Sequence, residues 1–135
     1  MRNLPLPLAV FCGALLTAGC TPNFPRTVPV HGKVTLEGEP VRGAEIQFIA
    51  AGLPTATGKI GPDGEYRLGS FQFEDGAVPG TYRVVVKPVE ISTPYGPAPM
   101  FSIPERYQSP DTSGLEARVG PGTTELNFNL KLGDR

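Results

Sequence analysis

Tryptophan is absent from the chain, histidine occurs once, and cysteine occurs twice. A lone imidazole, His31, cannot build a zinc centre, which needs three or four ligands. Acidic and basic residues nearly cancel, at a net charge of −1, and the few bases are scattered. No basic patch therefore suggests nucleic acid. The apolar stretch near the start is shorter than the roughly 20 residues a membrane-spanning helix requires. No segment keeps a helical period. Glycine and proline are plentiful instead, 17 and 16 residues. That is close to the level where disorder becomes a serious reading. Their placement argues otherwise, because they punctuate short alternating apolar segments.

The first segment has its own logic. Arg2 precedes an apolar run whose densest parts are Leu8-Ala9-Val10-Phe11 and Ala14-Leu15-Leu16. This is the layout of a secretory signal. Ala18 and Gly19, both small, then lead to Cys20. The string Leu16-Thr17-Ala18-Gly19-Cys20 resembles the lipobox of bacterial lipoproteins, with Thr17 as a mild departure. The resemblance implies removal of residues 1–19, a diacylglycerol thioether on Cys20, and acylation of the new amine. Two or more acyl chains anchor stably where one holds marginally. Cys12 leaves with the leader, so neither a disulfide nor a cysteine metal site is expected. Residues 20–27 read as the anchor and a short proline-bearing spacer. Extended, Thr21 to Thr27 reaches only about 20 Å, so the domain of residues 28–135 is expected close to a membrane. Thr21 in place of an aspartate leans toward the outer membrane.

From Val28 the apolar residues fall at every second position. Val28, Val30, Val34 and Leu36 share a face with Gly32, opposite Pro29, His31, Lys33, Thr35 and Glu37. Such alternation marks a half-buried strand. The same pattern predicts strands around Ala44–Ala50, Ala56–Ile60, Tyr66–Leu68, Tyr82–Val86, Leu115–Val119 and Leu126–Leu132. "EGEPV" (37–41), "GPDGEY" (61–66) and "GPG" (120–122) have turn chemistry, with the second reading as a hairpin. Seven short strands separated by turns predict an all-β antiparallel sandwich. Val34, Ile46, Phe48, Tyr66, Val84 and Phe128 are expected in its core.

Four segments carry a family likeness. "VHGKVTLEGEPVRGAEIQF" (30–48) resembles the opening of the carboxypeptidase regulatory-like domain. "GPDGEYRL" and "VPGTYRVVV" resemble its next two signatures, and the tail from Ile103 resembles the ending of small bacterial lipoproteins built on it. The likeness implies a seven-stranded Greek-key, prealbumin-like β-sandwich that serves as an accessory, adhesive or scaffold module. Ile103, Pro104 and Tyr107 match that ending and are expected to pack structurally.

Motifs with chemistry are sparse. By alternation His31 lies on the polar face with no sequence-level partner. Asp63 with Glu65, and Glu74 with Asp75, read as turn formers rather than a calcium loop, which needs a denser acidic set. Neither cofactor nor metal is expected. Hydroxyisourate hydrolase shares the prealbumin-like fold, but its Tyr-Arg-Gly-Ser ending is matched here only by the misplaced "YRLGS" (66–70). The segment Pro88–Ser113 is the main irregularity, with six prolines among Tyr95, Met100, Phe101 and Tyr107. Loops of this length are uncommon unless functional or mobile. Within it, Val89–Phe101 has no expected strand partner, and Tyr95 and Phe101 are the candidate partner contacts. The bland alternative is a flap covering the core.

These readings predict a lipid-anchored, non-catalytic binding or structural module of the cell envelope. Its partners would be the membrane through the anchor, and an envelope protein or a polysaccharide. Two alternatives stand: a small hydrolase using His31, and a carbohydrate-binding module with coplanar exposed aromatics.

Overall fold

The computed structural model describes Asn3 and residues 19–20, 23–122 and 125–133. The expected leader therefore lies outside the described residues except for Asn3 and Gly19. Ten strands follow one another among the described residues: β1 (His31–Leu36), β2 (Glu39–Pro40), β3 (Ala44–Ile49), β4 (Ala56–Ile60) and β5 (Glu65–Arg67) come first. After them come β6 (Gly80–Pro88), β7 (Glu90–Thr93), β8 (Gly96–Pro99), β9 (Leu115–Val119) and β10 (Phe128–Leu130). One 3-10 turn, Glu105–Gln108, is the only helical element among the described residues. No described helix is long and apolar enough to cross a membrane.

The alternation dictates the layers. β1 buries Gly32, Val34 and Leu36, β3 buries Ala44, Ile46 and Phe48, and β4 buries Ala56, Gly58 and Ile60. Side chains two apart point to one face, so each strand offers the core one apolar row. One sheet runs β10-β1-β2, with β5 also paired to β1; the other runs β4-β3-β6-β9. Their inner rows form one hydrophobic cluster around Phe48, Val84, Tyr82 and Leu130. Val34, Ile46, Phe48, Tyr66 and Val84 are buried, as the pattern predicts, and so are Ile103 and Tyr107.

Three expectations need correction. First, Phe128 is only half-buried, though packed against the core. Second, β1 and β10 pair in parallel, Val34 with Phe128 and Leu36 with Leu130, so the ladders are not all antiparallel. Third, the last strand stops at Leu130, and Leu132 is exposed. Its N–H leaves the ladder for the Glu37 carboxylate at 2.7 Å, while the Lys131 carbonyl accepts from Arg106 at 2.9 Å. Val85 is buried as well, although it sits between two core-facing positions of β6.

The 61–66 hairpin forms with a twist. Gly61 donates to Glu65 at its turn and Thr57 exchanges two bonds with Gly69 at its base. Between these points β5 gives its ladder to β1, through His31–Arg67, Gly32–Tyr66 and Lys33–Glu65. β5 thus lies where the two sheets meet. Gly32 is required there: a Cβ would sit 1.8 Å from the Leu126 carbonyl oxygen.

Candidate interaction surfaces

The segment Val89–Phe101 is a two-stranded ribbon, not an irregular loop. β7 and β8 pair antiparallel from Thr93–Gly96 to Glu90–Pro99. Pro94 and Tyr95 form the two-residue connection. Pro presets φ, Gly96 takes φ +112°, and the Thr93 hydroxyl donates to the Gly96 carbonyl at 2.6 Å while accepting the Tyr95 N–H at 3.2 Å. Sequence reading misses the ribbon because Pro97 and Pro99 look like strand breakers. Register explains why they are not. The Met100 N–H donates to the Val89 carbonyl at 2.8 Å, which sets the parity of the ladder. Pro97 and Pro99 then fall at positions whose N–H would point away from β7. Proline is tolerated at such an outward edge.

The same parity separates the two edges chemically. β8's outer edge has no donor at Pro97 or Pro99. β7's outer edge directs the N–H and C=O of Glu90 and Ser92 outward, and β7 pairs with no other described strand. Glu90, Ile91 and Ser92 are all exposed. Tyr95 stands at the tip, fully exposed, and Val89, Ile91 and Met100 are exposed along the ribbon. Phe101 differs. It is half-buried against the core at the ribbon's base. The structure thus places the two candidate contacts at opposite ends of the ribbon.

Position matters as much as shape. Val28 and Ala77 exchange two backbone bonds, so the spacer meets the domain just before β6 begins. β6 runs nine residues from Gly80 to Pro88, about 30 Å at the usual strand rise. The ribbon extends from the far end, beside Gly43, whose carbonyl accepts the Val89 N–H at 2.8 Å. Cys20 is exposed on the spacer side.

His31 borders a groove of about 860 Å³ on the outer side of β1, β5 and β10, with Lys33, Glu65, Arg67 and Asn127. Its imidazole makes no side-chain hydrogen bond among the described residues. Nor do three metal-ligating side chains cluster anywhere among the described residues. The polar groups in the groove are tied to the sheet: Asn127 accepts the Lys33 N–H at 2.8 Å, and the Thr35 hydroxyl donates to Asn129 at 2.9 Å. Two phenols are perturbed, both structural. Tyr66 donates to the Leu126 carbonyl and Tyr82 to the Val78 carbonyl, and burial pushes both pKa values up.

Aromatic stacking occurs at the spacer end. Phe24 and Phe71 lie nearly parallel, centroids 4.5 Å apart and planes at 18°. They cover one another face to face rather than lying side by side as a platform. No family model, curated protein or solved structure matches this chain.

Proposed function

We propose that this chain is a lipid-anchored, non-catalytic binding module of the bacterial cell envelope, held through Cys20 and presenting the β7–β8 ribbon to a protein partner. One observation carries the reading. The ribbon offers an unpaired edge, exposed apolar side chains and a fully exposed Tyr95, at the end opposite the spacer. An extended partner segment can add to β7, taking main-chain bonds at Glu90 and Ser92, while Pro97 and Pro99 close the other side. Tyr95 adds a rigid amphipathic contact. On this reading the domain is a Greek-key, prealbumin-like sandwich of the carboxypeptidase regulatory-like kind. The turn before β5, and Tyr82 at the start of β6 bonded to Val78, support that assignment. The lipobox supports placement at a membrane, with the outer membrane favoured by Thr21.

The test has two arms. Intact mass of the membrane fraction should show loss of residues 1–19 and added acyl mass, and Cys20→Ala should abolish both. A photo-crosslinker at Tyr95 should capture one protein in living cells, and Ser92→Pro should suppress that capture by removing an edge donor. Cross-links that survive Ser92→Pro unchanged, or that form equally from a probe at Lys59, would sink the ribbon reading. Capture of polysaccharide instead would favour the carbohydrate-binding alternative.

A further inference from the structure

The loop between β5 and β6 is held rigid around an exposed ring. The Asp75 carboxylate accepts the backbone N–H groups of Ser70 at 2.6 Å, Phe71 at 3.2 Å and Gln72 at 3.1 Å. Bonds to a charged acceptor are among the stronger ones. The Ser70 hydroxyl donates to the Gly76 carbonyl at 2.8 Å, and the Gly76 N–H donates to Leu68. Gly76 itself, at φ +97°, leaves no room for a Cβ, which would lie 1.9 Å from the Val28 carbonyl oxygen. The loop is therefore locked both internally and against Val28, where the domain begins. On it Phe73 is 91% exposed. No core contact accounts for that placement.

Phe71, two residues earlier, stacks on Phe24 of the spacer, and Phe24 remains 49% exposed. This pins the spacer four residues after Cys20. Four extended residues span at most about 14 Å. We propose that Phe24 and Phe73 are a membrane-contact patch, entering the interfacial layer of the bilayer that holds the Cys20 acyl chains; this rests on the anchor reading above. Without the stack the spacer would be a swivel. With it, the clamped loop stays within reach of the anchor plane, and aromatic rings are favoured at that depth. The nearby charges, Arg26 against Glu74 and Asp75, leave no basic excess to attract anionic lipid, so the contact is apolar rather than electrostatic. Its effect is to hold the domain upright, with the ribbon directed away from the membrane.

The absence of tryptophan makes the test direct. Phe73→Trp and, separately, Tyr95→Trp each create a single emitter in the full acylated protein. Both are reconstituted in vesicles of phosphatidylethanolamine and phosphatidylglycerol, and acylation is verified by intact mass. The Phe73→Trp emission should shift to the blue and be quenched by brominated phospholipid, with little dependence on the anionic fraction. The Tyr95→Trp emission should stay aqueous and unquenched. In the unsubstituted protein, amide exchange at residues 71–74 should slow on vesicles. An acylated Phe73→Trp protein whose emission matches that of Tyr95→Trp overturns the patch and leaves the anchor standing. A chain without acyl mass overturns the anchor, and with it the membrane as occupant.

Discussion

Phe48 of β3 meets Phe128 of β10 edge to face, with ring centroids 6.0 Å apart and planes at 82°. The contact joins the two sheets. Phe48 also touches Tyr66 at 6.4 Å and Tyr82 at 5.8 Å, so it is the ring on which both layers converge.

Truncating the two partners should therefore have unequal effects. Phe48 is completely buried, and Phe48→Ala should cost about 3–5 kcal/mol as a large-to-small core change. Phe128 is half-buried, and Phe128→Ala should cost less than about 3 kcal/mol. Urea unfolding of both variants measures the difference. Equal losses would show that Phe128 is as deep as its alternation suggests.

Gly32→Ala should destabilise by about 1–3 kcal/mol, because overpacking displaces neighbours. The new Cβ would collide with the Leu126 carbonyl, which also accepts the Tyr66 phenol. Gly122 is exposed with open space around it, so Gly122→Ala should stay within about 0.5 kcal/mol of wild type. Matching unfolding midpoints for the two variants would contradict the close approach of residue 126 to β1.

Stability should fall at alkaline pH through the buried phenols. Burial raises the Tyr66 and Tyr82 pKa values in the folded state. Above about pH 10 the unfolded tyrosines release protons that the folded ones keep. The unfolded state then binds fewer protons, so unfolding becomes easier as pH rises. The contribution is complete below about pH 10 and is lost as pH climbs toward the raised folded values. Tyr66→Phe should flatten this alkaline slope in pH-dependent unfolding. An unchanged slope would assign the effect elsewhere.

Tyr95→Ser should leave stability within about 0.5 kcal/mol of wild type, since the ring touches solvent alone. Phe101→Ser should lose up to about 3 kcal/mol, because that ring packs on the core. Thermal unfolding of the single variants separates tip from base. A stability loss on Tyr95→Ser would mean that the ribbon tip folds back onto the domain.

Local rules made much of this protein legible. Period-two alternation depends on neighbours two residues apart, so β1, β3, β4, β6 and most of the buried set could be read directly. Turn chemistry located Gly61–Glu65 for the same reason. The Leu16-Thr17-Ala18-Gly19-Cys20 string, on which the proposed anchor rests, is likewise local, since a processing signal would be read as linear text.

Other features depended on distant partners, and only the tertiary structure decided them. Val34 and Phe128 pair in parallel across most of the chain, and nothing local states the direction of that pairing. Leu132 continues the apolar alternation, yet the Glu37 carboxylate draws its N–H out of the ladder. Pro97 and Pro99 are strand-compatible only because the register turns their missing N–H groups outward. Phe24 and Phe71 lie in segments that composition alone reads as spacer and loop. Side-chain period is a property of one strand, whereas register, strand direction and ring stacking belong to pairs of segments brought together by the shared core.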